Sequence, residues 1–163
     1  MWASKKSCRD IQTTSTFGQT TTATLAADIS ARGLPASALD TGFNPDAAQI
    51  ASAVSAAGQA DLVVGSTFYV SSAPGQIQLV NALLAAGKPL VLAAVGPPYD
   101  IAYFPGASTF ITGYDYQPVS LHALVRGLFG EIDSTGRLPV TVTEPPPSTR
   151  VLYPFGYGLS VRG

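Results

Sequence analysis

Short apolar runs alternate with amphipathic segments along most of this chain, and that alternation limits the folds it can adopt. The runs are continuous, without alternating polar residues, which is typical of strands covered on both faces of a parallel sheet. They occupy residues 35–39, 61–65, 89–95 and 108–112. Strands that alternate with helices form right-handed βαβ units. The sequence therefore predicts an α/β fold, a three-layer α/β/α sandwich on a mostly parallel sheet.

Four amphipathic helices are expected between these strands. Three of them have a proline in the first turn and a glycine just past the end, which is the usual punctuation of helices. The expected ranges are 21–32, 45–57, 74–86 and 118–129. Asn44 directly precedes the second helix and is expected to be its N-cap.

The two ends of the chain depart from this regular pattern. Residues 11–16 (IQTTST) are polar for a buried strand, so residues 1–15 are expected to be poorly ordered or to form a weak first strand. The sandwich domain is expected to span 16–163. Within it, residues 138–143 are predicted to add an edge strand to the sheet, where Pro139 is tolerable near the strand start. Residues 144–150 contain three consecutive prolines and are predicted to form a stiff surface arm.

Charge and composition exclude several classes of function. The net charge of −1 provides neither a basic surface for nucleic acid nor a polybasic patch for a membrane. One histidine, His122, and one cysteine, Cys8, cannot assemble the usual zinc site, so neither a metal nor a cofactor is expected. Charged residues make up 12% of the chain, about half the usual share. This composition fits a surface covered by another domain or another copy, and it equally fits an Ala-rich globular domain with a Ser/Thr-rich surface.

Targeting signals are not evident in the sequence. The polar residues 7–16 stand where a secretory signal needs an apolar core. The longest apolar stretch, 89–95, is too short to cross a bilayer. The expectation is a chain made without export, with the cytoplasm as the default location.

The most specific motifs lie in the last third of the chain. Residues 128–142 contain LFGE and STGRLPVTV, and residues 153–160 read YPFGYGLS. Further matching segments are DLVVG (61–65), PGQ (74–76), GKPLVL (87–92) and PYDI (98–101). Together they resemble the C-terminal α/β domain of family 3 glycoside hydrolases, most closely its bacterial β-N-acetylglucosaminidase-like branch. The resemblance covers residues 16 to 163.

This resemblance implies a domain without the family's catalytic groups. Family members place the catalytic Asp nucleophile on an N-terminal (β/α)8 barrel, and no part of the 163 residues is long enough to be that barrel. The β-glucosidase branch takes its acid/base Glu from the loop that matches residues 66–72, which contain no carboxylate here. The β-N-acetylglucosaminidase branch keeps an Asp–His pair on the barrel. The implied role is accessory to a barrel that hydrolyses β-linked N-acetylglucosaminides or glucosides.

Aromatic and acidic residues follow three successive strands. Because the carboxyl ends of parallel strands meet at one sheet edge, we expect these side chains to lie together there. The candidate site residues are Tyr69, Tyr99, Asp100, Tyr114, Asp115 and Tyr116, with Phe68 beside Tyr69. Aromatic faces with acids suit sugar stacking, and they equally suit docking against a barrel. Docking is the favoured interpretation.

Two alternatives to the accessory role stay open at this stage. The chain could be an autonomous carbohydrate-binding module that uses the loop aromatics. It could also be a hydrolase with its own carboxylates, Asp100 and Asp115, although turn or capping roles are commoner for such residues. A serine hydrolase is excluded because the chain has no Gly-x-Ser-x-Gly elbow, and His122 lies within an amphipathic helix. The partner is a barrel domain or a second copy of the chain.

Overall fold

The structure is a computed structural model that describes residues 11–15 and 18–159. Its centre is a five-stranded parallel sheet with the strand order β2-β1-β3-β4-β5. The strands are β1 Ile11–Ser15, β2 Ala36–Asp40, β3 Leu62–Thr67, β4 Leu90–Ala94 and β5 Phe110–Thr112. This order is one of the two common doubly wound arrangements.

Four α-helices cover the two faces of the sheet. They are α1 Gly18–Ser30, α2 Ala47–Gln59, α3 Pro74–Ala85 and α4 Pro118–Leu128. Two short 3-10 helices, Val70–Ser72 and Pro98–Tyr103, follow β3 and β4. Each of the four α-helices begins and ends within a few residues of its predicted boundaries. No helix in the described part of the chain is long and apolar enough to cross a membrane.

The core is divided between the two faces. On one face, α1 and α4 contribute buried residues such as Leu25 and Leu121, which pack with Val64 of β3. On the other face, α2 and α3 contribute Ala53, Ala57, Leu79 and Leu83, which pack with Val63 and Leu92. Neighbouring residues of a strand point to opposite faces, so β3 serves both halves of the core. The predicted three-layer α/β/α sandwich is confirmed.

Strand β1 is more firmly placed than its polar sequence suggests. It pairs in parallel with β2 on one side and β3 on the other, so it lies inside the sheet. Its polar side chains are buried with partners: Thr13 Oγ1 donates to Ser37 O at 2.9 Å, and Gln12 Nε2 donates to Thr13 O at 2.9 Å. Ile11–Ser15 therefore form the first strand of the sheet. Residues 1–10 lie outside the described residues.

The N-cap of α2 differs from the expectation. Asp46, rather than Asn44, caps this helix, because Asp46 and Gln49 form a reciprocal capping box. Asp46 Oδ1 accepts from Gln49 N–H at 2.9 Å, and Asp46 N–H donates to Gln49 Oε1 at 2.8 Å. Asn44 Oδ1 instead accepts from Gly75 N–H at 2.8 Å, in the first turn of α3. The predicted role of Asn44 at α2 is wrong, and the residue instead links the loop after β2 to the first turn of α3.

The C-terminal strand forms a separate small sheet. β6 (Val142–Thr143) pairs antiparallel with β7 (Val151–Tyr153), and this pair does not extend the five-stranded sheet. The proline arm turns the chain so that β7 lies beside β6. Of the predicted edge strand at 138–143, only Val142–Thr143 form a strand, and they pair with β7 instead of the five-stranded sheet. Val142 is fully buried where β6 contacts the 3-10 helix Pro98–Tyr103.

Candidate functional site

Exposed aromatic side chains cluster at the carboxyl edge of the parallel sheet. They come from the loops after four strands: Phe43 follows β2, Tyr69 follows β3, Tyr99 follows β4, and Tyr114 and Tyr116 follow β5. Each of these five side chains is between 38% and 50% exposed. Together with the half-buried Phe68, we call them the aromatic edge.

Phe68 organises part of the aromatic edge. Its ring makes edge-to-face contacts with Tyr69, Tyr116 and Phe43, with centroid distances of 4.7, 5.7 and 6.4 Å. Such geometry is the favoured one for aromatic pairs. Gly96 lies directly against the ring, because a Cβ at this position would be 2.6 Å from Phe68 Cδ2. The absence of a side chain at Gly96 therefore makes room for the central ring.

The buried amide of Gln76, on α3, holds two of these loops. Gln76 Nε2 donates to Phe43 O at 2.9 Å and to Phe68 O at 2.8 Å. Gln76 Oε1 accepts from Phe68 N–H at 3.0 Å. The side chain is completely buried, and these three hydrogen bonds fix the main chain beneath two rings of the aromatic edge.

Two residues of the aromatic edge have left-handed backbone conformations. Tyr69 has φ 51° and Tyr114 has φ 59°, values that are uncommon for residues with a bulky side chain. At Tyr69 the conformation is supported by Ser72, whose N–H and hydroxyl both donate to Tyr69 O, at 3.0 and 2.9 Å. Backbone strain of this kind concentrates at functional surfaces, where the surrounding structure maintains it.

Two open depressions lie along the aromatic edge, each with a volume of about 380 Å³. The first lies between Tyr69, Tyr99 and Tyr103 and the arm that contains Glu144 and Pro145. The second is bounded by Phe68, Tyr69, Tyr114, Asp115 and Tyr116. Tyr69 lines both, so the depressions are neighbours on one surface.

Asp100 lies beneath the first depression and is almost fully enclosed. Only 3% of its surface is exposed, and Oδ1 accepts from Val70 N–H at 3.2 Å. Burial raises the pKa of this carboxyl, while the Thr67 hydroxyl and the Val70 N–H partly offset that effect. A carboxyl so enclosed has little access to a ligand in the depression.

Asp115 stabilises the loop that leads into α4. Its Oδ1 accepts from Tyr116 N–H at 2.7 Å and from Gln117 N–H at 3.2 Å, and its Oδ2 accepts from the Ser120 hydroxyl at 3.4 Å. Asp115 lines the second depression, whereas Asp100 lines the first. The two predicted carboxylates therefore do not face one shared cavity.

The structure brings all six predicted site residues to one edge of the sheet, as their positions after the strands predict. The sequence reasoning missed Phe43, Gln76 and the contribution of the arm. Phe43 was detectable by the same rule, since it follows β2. Gln76 had no such signal, because its role depends on contacts made across 33 and 8 residues of sequence.

The proline arm is held by its own ion pair. Arg150 donates to Glu144, and the Ser148 hydroxyl donates to Glu144 Oε2 at 2.7 Å. The hydrogen bonds from Arg150 and then Ser148 lower the pKa of Glu144 to about 2. These contacts keep Pro145 and Pro146 as one wall of the first depression.

The part of the chain that the structure describes contains no group of three or more His, Cys, Asp or Glu side chains that could hold a metal ion. His122 on α4 is half exposed and pairs through Nδ1 with Asp28 on α1. This pair joins two helices at the surface.

Comparison with solved structures identifies related folds. A fungal multidomain family 3 β-N-acetylglucosaminidase, which also has a glucosamine N-acetyltransferase region, matches 91% of this chain at 26% identity, with a TM-score of 0.67. A family 3 β-N-acetylglucosaminidase from a Paenibacillus species matches 88% at 23% identity, with a TM-score of 0.77. A β-glucosidase from Listeria innocua, solved with isofagomine, matches 94% at 14% identity, with a TM-score of 0.71.

The matches cover most of this chain but only a small part of each solved chain. This chain spans only 17%, 29% and 30% of the three solved chains, respectively. Neither a family model nor a curated protein matches the sequence. The three solved structures confirm the predicted resemblance to family 3 glycoside hydrolases. The chain has an α/β fold that these enzymes contain as one part of a longer chain.

Proposed function

We propose that this chain is an accessory α/β domain of a family 3 glycoside hydrolase and that it docks onto a barrel domain through the aromatic edge. The observation that carries the proposal is the aromatic edge itself, where five exposed aromatic side chains lie on loops from four strands. The similarity to part of longer family 3 enzymes supports a barrel as the partner.

The chemistry of the aromatic edge suits a protein interface. The cores of interfaces are enriched in Tyr and Phe and depleted in charged residues. Here the two nearby acids are already engaged: Asp100 is buried, and Asp115 accepts hydrogen bonds from its own loop. Gln76 fixes the loops of Phe43 and Phe68 in advance, so docking costs little additional ordering of the chain.

A role without catalysis by this chain alone agrees with the placement of its acids. Most glycoside hydrolases use two carboxyl groups that flank the scissile bond, about 5 Å apart in retaining enzymes and about 6.5–9.5 Å apart in inverting enzymes. Asp100 and Asp115 line different depressions, and Asp100 is enclosed. The loop at 66–72 adds no carboxylate. The hydrolytic groups are therefore assigned to the barrel.

The test combines the purified chain with a separately expressed family 3 barrel domain. Hydrolysis of chromogenic β-N-acetylglucosaminide and β-glucoside is measured for the chain, the barrel and the mixture, and complex formation is followed by sedimentation velocity. We expect a complex, and more activity in the mixture than in the barrel alone. Turnover by the chain alone would contradict the proposal, and sedimentation of the chain alone as a dimer through this surface would favour a second copy as the partner.

Site variants then locate the docking surface. Tyr116→Ala removes an exposed ring of the aromatic edge, and Phe155→Ala removes a ring that is 72% exposed on the C-terminal segment. We expect the Tyr116 variant to weaken the complex at least tenfold and the Phe155 variant to change it less than twofold. Equal losses in both variants would contradict docking through the aromatic edge.

A second candidate function is sugar binding by the chain alone. The observation that favours it is the first depression, where three tyrosines and Glu144 surround a volume of about 380 Å³. Titration calorimetry with N-acetylglucosamine, glucose and their β-linked oligomers tests this function. Saturable binding that Tyr99→Ala abolishes would support a carbohydrate-binding module, whereas the docking proposal predicts no saturable binding.

A further inference from the structure

Asp100 is a carboxyl group enclosed between two loops of the aromatic edge. It lies on the 3-10 helix Pro98–Tyr103, after β4, and is 3% exposed. Its hydrogen bond from Val70 N–H joins this helix to the 3-10 helix Val70–Ser72, after β3. Because Val70 directly follows Tyr69, this bond fastens the turn in which Tyr69 adopts its left-handed conformation.

The second carboxyl oxygen has a different environment. Among the described residues, Asp100 Oδ2 and Thr67 Oγ1 are both buried and make no hydrogen bond of ordinary geometry. An ionised carboxylate here would have a single backbone N–H and a single neighbouring hydroxyl for its two oxygens, and an unpaired buried charge is costly. A neutral carboxylic acid needs one donor and one acceptor: Val70 N–H is the donor, and the neighbouring Thr67 Oγ1 is available as the acceptor.

The surrounding charged and titratable groups do not favour the ionised form. The titratable groups that line the same depression are Tyr69, Tyr99, Tyr103 and Glu144. The tyrosines offer no positive charge that could pair with a carboxylate. Glu144 is negative, and the positive charge of Arg150 is already paired with it. Burial accordingly dominates and raises the pKa of Asp100.

We propose that Asp100 is a positioning residue that acts as a neutral carboxylic acid: it locks the Tyr69 turn to the loop after β4, and ionisation at higher pH weakens this lock. The proposal concerns the free chain and does not depend on docking to a barrel. The direction of the pH effect on folding stability follows from the raised pKa of Asp100 in the folded chain. The unfolded chain loses the Asp100 proton first as the pH rises, so folding stability falls from about pH 4 up to the raised folded pKa.

Two substitutions separate the neutral form from the loss of the group. Asp100→Asn keeps an acceptor for Val70 N–H and places an amide donor beside Thr67 Oγ1, whereas Asp100→Ala removes both. Asp46→Asn is the matched control, because Asp46 is exposed and Asn is an equally good N-cap. Urea unfolding from pH 4.5 to 8.5 is measured for all four proteins, together with the Val70 amide resonance by NMR.

The expected result has three parts. The unfolding midpoint of the wild type decreases with rising pH relative to that of Asp100→Asn, and Asp46→Asn follows the wild type. The Val70 amide resonance shifts with pH in the wild type and is constant in Asp100→Asn. Asp100→Ala is less stable than Asp100→Asn at every pH.

The proposal is overturned if the difference between the wild type and Asp100→Asn is the same at every pH, or if Asn is as harmful as Ala. Should the variants not fold, the wild type alone decides the question through the titration of the Asp100 side-chain carboxyl carbon. A midpoint near the ordinary 3.8 overturns the proposal, and a clearly higher midpoint supports it. A failure here leaves the docking proposal intact, because none of these experiments contains a barrel.

Discussion

Gln76 offers the sharpest test of how the aromatic edge is built. Replacement by Met keeps a side chain of similar length and volume but removes all three hydrogen bonds to Phe43 and Phe68. One main-chain N–H and two carbonyl groups would then lose their hydrogen bond to residue 76. Each unsatisfied buried group costs about 1–3 kcal/mol. Gln76 is buried, but Phe43 and Phe68 are partly exposed, so the lower limit applies to each of the three groups. We therefore expect the free energy of unfolding to fall by about 3 kcal/mol.

Replacement of Gln76 by Glu provides a matched comparison with a pH signature. Glu keeps the oxygen that accepts from Phe68 N–H but points its other oxygen at two carbonyl groups. Burial and these carbonyls raise the pKa of the introduced carboxyl above its usual value of about 4.3. The variant therefore regains stability as the pH falls towards 4, since the neutral acid donates one of the two missing hydrogen bonds.

Both Gln76 variants are measured by urea unfolding at pH 4.5 and 7.5, against the wild type at the same pH. We expect the cost of Gln76→Met to be similar at the two pH values and the cost of Gln76→Glu to be clearly smaller at pH 4.5. A loss below about 1 kcal/mol for Met, or a Glu cost that does not change with pH, would refute the assigned hydrogen bonds.

Two further predictions concern the remaining supports of the aromatic edge. Gly96→Ala places a methyl group 2.6 Å from the Phe68 ring, so we expect a loss of about 1–3 kcal/mol in thermal or urea unfolding and weaker docking; an unchanged Phe68 ring environment in NMR spectra would argue against this packing. Glu144 has a pKa lowered to about 2. Its pairing with Arg150 therefore stabilises the arm fully above the unfolded-state pKa of about 4.3, and this stabilisation is lost as the pH falls towards 2. NMR titration of the Glu144 carboxyl measures this pKa, and a midpoint near 4.3 would contradict the pairing. In the Glu144→Gln variant, the pH-dependent shift of the Arg150 resonances should disappear.

Local rules predicted the main architecture because the chain follows them closely. Proline and glycine mark α3 and α4 at both ends, and buried apolar runs coincide with β3 and β4. The candidate surface also followed from local rules, since residues after parallel strands necessarily meet at one edge.

Features that depend on long-range contacts were beyond these rules. The Thr13 hydroxyl of β1 is buried but satisfied, because it donates a hydrogen bond to the main-chain carbonyl of Ser37, 24 residues away. Asn44 was predicted to cap α2, yet it meets Gly75, 31 residues later. The partner of β6 depended on the path of the proline arm, which sequence periodicity does not encode.

Docking through the aromatic edge is decided by the affinity between the purified chain and a family 3 barrel domain, measured by calorimetry with the wild type and with Tyr116→Ala. We expect saturable binding that Tyr116→Ala weakens at least tenfold, and activity of the mixture that falls in parallel. An absence of binding to barrels of both the β-N-acetylglucosaminidase and the β-glucosidase branches, or binding unaffected by Tyr116→Ala, would contradict it.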